Sequence, residues 1–321
     1  MNILITSAGR RSSLVEAFKA AAHPRGGRVL VADVDALAPT CALADGAFQV
    51  PKVTHPDYLA TLLALCRAEG VRVVVPTIDT ELPVLAHEAQ VFRSAGILPV
   101  ISQPAFIEIC MDKWRTAEVF AGAGVAVPRS WLPGMPAPPD LDQVFVKPRR
   151  GSASLHAYAA PAADLPRLLP QVPDPILQEL LDGREVTIDA FLDFDGRPLH
   201  YVPRERIRTL GGESIQGVTL DLPDLDAWLG GILGVCSRLG ARGPLTLQAF
   251  LTARGPVLTE INPRFGGGFP LARAAGGDYP AWILDLAEGR PVAPSLGAYR
   301  RGLYMTRHYT EIFLDRLPWP L

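Results

Sequence analysis

The chain has 321 residues, 48% of them hydrophobic and 20% charged, which suits two or three globular domains with a substantial core. A formal net charge of −2 and a pI near 6.3 argue against the basic footprint of a nucleic-acid binder. No apolar run approaches a membrane span or a signal-peptide core, and Cys41, Cys66, Cys110 and Cys236 show no metal spacing, so a cytoplasmic protein with reduced, buried cysteines is expected.

From the N-terminus, Asn2 to Thr6 reads as a strand, Ser7 to Arg11 as a loop and Ser12 to Ala22 as a helix capped by Ser12 or Ser13. A strand over Arg28 to Ala32 follows, ending at Asp33. Further strands near Ala47 to Val50, Val71 to Val75 and Leu98 to Ile101 alternate with helices near Asp57 to Glu69 and Glu81 to Ser94. That rhythm predicts an open parallel α/β sheet, Rossmann-like in outline. Ligands of such a sheet sit at the carboxyl ends of its strands, here Arg10, Arg11, Asp33 and the loop Thr77 to Glu81, although solvated loop charges are an equal alternative. An NAD site is a distant alternative, because Ser-Ala-Gly-Arg-Arg-Ser lacks the Gly-x-Gly-x-x-Gly fingerprint.

A helix is predicted over Met111 to Gly122 with Asp112 near its start, then an extended Val125 to Pro128 and a loop over Pro133 to Pro139. Val144 to Lys147 is a strand leading into Pro148 to Ser154, a small-residue loop able to wrap phosphates with backbone N–H groups. Only Lys19, Lys52, Lys113 and Lys147 are lysines among 31 basic residues, so each marks a place where a compact point charge is preferred to a fork. Lys147 as a plain charged strand end is the alternative. Downstream, Ile176 to Leu181 runs as a strand into Asp182-Gly183 and a second strand from Arg184 to Asp189. A purine can hydrogen-bond to the backbone of such a connection, and Glu185 is a natural acceptor for ribose hydroxyls.

The most informative stretch lies further on. Leu245 to Leu251 and Val257 to Arg264 alternate around Ala253-Arg254-Gly255, which predicts a β-hairpin. With Arg254 as the turn centre, Gln248 faces Glu260, and Asn262 shares their side of the sheet. One carboxylate and two amides suit Mg²⁺ that keeps waters and shares its shell with phosphates; a solvated sheet face is the alternative. The six histidines show no ligand spacing.

Lys113, Val-Lys147-Pro with its small-residue loop, Gln-Glu179-x-Leu181-x-Gly-x-Glu185, Gln248 and Glu260-Ile-Asn262-Pro-Arg264 occur in the order seen in ATP-grasp enzymes. The chain resembles one synthetase module of the carbamoyl phosphate synthase large subunit and the stand-alone carboxylate-amine ligases related to it. The resemblance implies a pre-ATP-grasp α/β domain over residues 1–103, an N-terminal grasp lobe over 104–182 and a C-terminal lobe over 183–321. It further implies that Lys113, Lys147 and Ser152 meet the nucleotide phosphates, that Gln178, Glu179, Leu180 and Leu181 form the adenine hinge, and that Glu185 holds the ribose. Gln248, Glu260 and Asn262 would ligate two Mg²⁺, for which Mn²⁺ substitutes. Arg264 would hold the transferred phosphoryl group or the acyl phosphate, with Lys147 and Arg208 as further catalytic groups, although Arg206 and Arg208 both match less well and would face phosphate or the carboxylate substrate.

The implied activity is ATP- and Mg²⁺-dependent phosphorylation of a carboxylate to an acyl phosphate, which an amine then attacks, with Arg149 to Ser154 as a lid that keeps water out. The implied partners are a small carboxylate and an amine, with no nucleic acid or membrane, in a protein of a size often found as a homodimer. A catalytically silent ATP-binding sensor or partner subunit is the second reading. Two departures concern the substrate: the chain holds a single module with no glutaminase, and the hinge is one residue shorter between Glu179 and Glu185.

Overall fold

The computed structural model describes residues 1–136, 138, 140–151, 156–210 and 213–320. Three sheets organise it. The first is parallel, in the order β3-β2-β1-β4-β5, built from β1 (Asn2–Thr6), β2 (Val29–Asp33), β3 (Gly46–Gln49), β4 (Val71–Pro76) and β5 (Leu98–Pro99). Its central strands are nearly continuous Val, Ile and Leu because helices cover both faces, as a buried parallel sheet requires. The crossover helices Ser12–Ala22 and Tyr58–Ala68 fall where the periodicity predicts. The single helix expected over Glu81 to Ser94 is instead two, Glu81–His87 and Ala89–Ser94, separated at Glu88.

A second, antiparallel sheet has the order β6-β9-β7-β8, from β6 (Ser130–Trp131), β7 (Gln143–Pro148), β8 (Tyr158–Pro161) and β9 (Pro175–Glu179). The third contains β10 (Arg184–Leu192), β11 (Pro198–Leu210), β12 (Glu213–Thr219), β13 (Gly243–Thr252), β14 (Gly255–Asn262) and β15 (Tyr304–Thr306), in the order β14-β13-β10-β11-β12-β15. One face carries Val186, Ile188, Ala190, Leu245, Leu247, Ala249 and Ile261 into the main core. Strand alternation therefore commits Glu185, Thr187, Asp189, Arg204, Arg206, Gln248, Glu260 and Asn262 to the other.

The parallel layer is not loosely tethered. Its helix Ser12–Ala22 packs against the helix Tyr279–Ala287 and the Phe265 region, with Phe18 and Phe265 edge to face at 5.9 Å. One apolar cluster thus runs from Ile3 and Phe18 to Leu247 and Ile283. This contact brings the carboxyl ends of β1 and β4 to the rim of the third sheet. Among the described residues no helix is long and apolar enough to cross a membrane.

Candidate functional site

The hairpin β13–β14 sets Gln248 directly opposite Glu260 and Thr246 opposite Asn262, the pairing expected from the sequence. It arrives there by a different route. The turn is the two residues Ala253-Arg254, with Thr252 opposite Gly255, so Arg254 is not its centre and the pairs near the tip sum to 507. A bulge at Thr259 supplies one extra residue and restores the sum of 508 beyond it. Thr259 donates its hydroxyl to the Gln248 carbonyl at 3.1 Å and lines the same cleft as Glu260. Asn262 is buried and gives its amide N–H to Glu260 Oε1 at 3.0 Å. A carboxylate and two side-chain amides therefore share one sheet face, a hard, oxygen-rich donor set that fits Mg²⁺.

Facing this hairpin is a cleft of about 610 Å³ between the second and third sheets. Along β7, Phe145 and Lys147 point into it while Val144 and Val146 enter the small core around Trp131. Lys147 is 9% exposed, and its ammonium lies 5.5 Å from the Phe145 ring centroid. Burial pushes its pKa down to about 8, partly opposed by Glu260, reinforced by Lys113 and opposed again by Glu185. It is a cation stored where an incoming anion would stabilise it.

Lys113 opens the helix Lys113–Gly122, whose cap Asp112 accepts from Trp114 N at 3.1 Å and Arg115 N at 3.3 Å. The helix predicted over Met111 to Gly122 begins there, because a separate helix, Pro104–Cys110, ends just before the cap. Lys113 Nζ donates to the Gly151 carbonyl at 2.7 Å. Arg149 is not a cation held free for phosphate. Its guanidinium forks onto Asp112 at 2.7 and 2.6 Å, so it anchors the base of the loop; Arg150, 3.8 Å from Asp112 and largely exposed, lines the cleft instead. Ser152, Ala153 and Ser154 of the expected lid lie outside the described residues.

Gln178, Glu179, Leu180 and Leu181 border the cleft, with the strand ending at Glu179 rather than Leu181. Gln178 donates to Ser130 Oγ at 2.9 Å. The Glu179 carboxylate is turned to the opposite side of β9 from Gln178, because Glu179 pairs with Val144 and Gln178 with Phe145. There it is 7% exposed and accepts from Arg129 N at 3.0 Å, Arg129 Nε at 3.1 Å and Arg254. Burial alone would raise its pKa, but the arginine and backbone donors outweigh it and hold the carboxyl below its ordinary value. Glu179 thus offers the cleft its backbone. Glu185 lines the cleft in an ion pair with Arg206.

Gly183 lets the hinge lie on β13, since a Cβ there would sit 2.4 Å from the Leu251 carbonyl oxygen. The run Gly266-Gly267-Gly268 has a similar reason. A Cβ at Gly268 would stand 2.3 Å from Arg204 Cζ, and Arg204 is buried against Asp189 at 2.6 Å beneath it.

Arg264 does not border the cleft. Its Nη2 donates to Asp79 Oδ2 at 2.9 Å in the Thr77 to Glu81 loop of the parallel layer, and among the described residues its buried Nε and the Asp79 Oδ1 have no hydrogen-bond partner. Arg208 is exposed on β11, past a bulge at Ile207, so Arg206 is the arginine of that strand at the cleft. Arg11 donates to the Phe265 carbonyl at 3.1 Å and the Thr77 carbonyl at 2.9 Å, joining the same junction. Asp33 spends its carboxylate on the amides of Gly9, Val34 and Asp35 at 2.8–3.1 Å, where a dinucleotide fold would offer it to a ribose.

Several residues of this region carry no readable sequence signal. Arg129 and Arg254 act through Glu179, 50 and 75 positions away, while Asp79 falls in the expected loop Thr77 to Glu81 but without sign of its partner. Phe145 and Phe250, by contrast, follow by strand alternation from Lys147 and Gln248, whereas Thr259 reaches the cleft only through the bulge.

Residues 3–101 match the family model for the PylC-like N-terminal domain, and residues 171–309 the model for ATP-grasp in the biosynthetic pathway with Ter operon. The matched segments are thus PylC-like at the N-terminal end and ATP-grasp-like at the C-terminal end. No curated protein matches it in sequence. Among solved structures it is similar to the biotin carboxylase domain of Hydrogenobacter thermophilus 2-oxoglutarate carboxylase in complex with MgADP, ADP and bicarbonate, with 16% identity, a TM-score of 0.74, and coverage of 94% of this chain and 73% of that one. It is also similar to the L-amino acid ligase of Bacillus licheniformis, with 17% identity, TM-score 0.70 and coverage of 91% and 75%. A third neighbour is N5-carboxyaminoimidazole ribonucleotide synthetase from Thermotoga maritima, with 17% identity, TM-score 0.64 and coverage of 91% and 77%. At these identities the likeness is one of fold.

Proposed function

We propose that the chain is an ATP- and Mg²⁺-dependent ligase, which phosphorylates a carboxylate on one oxygen to give an acyl phosphate and ADP, then joins that acyl group to an amine with loss of phosphate. The observation that carries this reading is the convergence on one cleft of two cations from one side, Lys113 and Lys147, and Gln248 and Glu260 from the other, with the Gln178–Leu181 backbone at its border. Its parts follow the boundaries at residues 103 and 182. The fold neighbours, one bound to MgADP and bicarbonate and another an L-amino acid ligase, support the same class.

In this reading Lys147 and Lys113 gather the triphosphate charge, joined by Arg150, and Glu185 takes the ribose after exchanging part of its pairing with Arg206. Gln248, Glu260 and Asn262 would hold Mg²⁺, with Glu260 supplying the one carboxylate. When bound, the metal offsets negative charge on the phosphates during transfer. Arg264 faces the acyl phosphate from the junction with the parallel layer, and Asp79 fixes its guanidinium. The small carboxylate and amine enter at that junction, where Arg11, Asp79 and the glycine run meet.

The test is ADP release from MgATP against a panel of amino acids and small carboxylic acids, singly and in pairs, with Glu260→Gln as control. Release with particular pairs that disappears in the variant, at unchanged melting temperature, is the expected result. Full turnover by Glu260→Gln would overturn the metal assignment.

A further inference from the structure

Behind the hinge, three segments meet at one carboxylate. Glu179 closes β9 in the smaller lobe, Arg129 belongs to the linker before β6, and Arg254 is the second residue of the β13–β14 turn in the larger lobe. Two backbone contacts run alongside: Leu258 N donates to the Ala126 carbonyl at 2.8 Å, and Gly183 lies flat on Leu251.

The tip of the hairpin is therefore fixed to the hinge, while the same two strands carry Gln248 and Glu260 about 13 Å further along, at roughly 3.3 Å per residue. A paired β-hairpin resists stretching. Its tip contact consequently sets the distance between the hinge and the proposed metal end.

We infer that Arg254 and Glu179 form an inter-lobe latch that holds the adenine hinge in register with the metal-bearing end of the hairpin, making Arg254 a positioning residue for the nucleotide. This rests on the reading of the cleft as an ATP site. Arg254 is half exposed, so the pair itself adds little to global stability. Arg129 remains on Glu179 when Arg254 is removed, so the buried carboxylate keeps a cationic partner and the variant folds.

The experiment compares Arg254→Ala, Arg254→Lys and the wild type for binding of MgADP and of magnesium tripolyphosphate, which has the phosphate charge but no base. Arg254→Ala is expected to weaken MgADP about tenfold, to leave tripolyphosphate affinity and melting temperature unchanged, and to be partly rescued by lysine. Equal loss for both ligands would assign Arg254 to the phosphates and overturn the latch, as would unchanged MgADP binding. Failure of the wild type to bind MgADP would instead overturn the nucleotide reading, and this inference with it.

Discussion

A change of pH on its own isolates Lys147. The free protein lowers its pKa from the ordinary 10.5 to about 8, so between those values the unfolded chain keeps a proton that the folded chain has released. Stability of the unliganded protein then rises with pH across that window. At about 1.4 kcal/mol per pH unit, the gap corresponds to about 3 kcal/mol for this one group. Bound MgATP would bring negative charge to the ammonium and restore the proton. Nucleotide binding at about pH 9 should therefore take up close to one proton, and affinity should fall by up to about tenfold per pH unit above 8. Calorimetric titration in two buffers of different ionisation enthalpy measures the uptake, and Lys147→Met supplies the baseline from other titrating groups. Equal binding heats in both buffers, with nucleotide still bound, would refute the reasoning.

Two further perturbations test the scaffold. Gly183→Ala forces a methyl group to 2.4 Å from the Leu251 carbonyl oxygen and should cost about 2 kcal/mol of stability, seen as a lower melting temperature; an unchanged melting curve would contradict the close packing of hinge on hairpin. Asp112→Ala removes a helix cap and the forked partner of Arg149, and should cost about 2 kcal/mol at neutral pH by urea titration. Burial would raise the Asp112 pKa, but Arg149 and the backbone amides hold it below the ordinary 3.8, so its contribution is present above about pH 4 and lost as pH falls further. The wild-type advantage over the variant should shrink in that acid range.

How far the sequence could be read depended on the range of the interaction involved. Alternation of period two placed Gln248, Glu260 and Asn262 on one face, and the parallel α/β rhythm gave the first sheet, since both patterns are local. The bulge at Thr259 was invisible because one extra residue leaves no compositional mark, and the turn centred on Arg254 reached the right pairing through a compensating error. Glu179 was legible in part: the motif spacing put it at the hinge, yet alternation with Gln178 already turned its carboxylate behind the strand. The roles of Arg149 and Arg264 were not legible, because Asp112 and Asp79 lie 37 and 185 residues away from them. The helix Pro223–Arg238 has a weak local signal, with Gly230, Gly231 and Gly234 each disfavouring helix by about 1 kcal/mol; burial of Leu229, Ile232, Leu233 and Cys236 overrides this.

The ion pair between Arg264 and Asp79 bears on how such a protein can be rebuilt. One partner belongs to the segment matching a PylC-like domain, the other to the segment matching ATP-grasp, and among the described residues each keeps a buried polar atom without a partner of its own. A chimera that imports a foreign N-terminal layer inherits whatever side chain that layer presents at position 79. Without an acid there, the Arg264 guanidinium would lose its carboxylate partner, so the two segments exchange as units only if that position travels with its arginine.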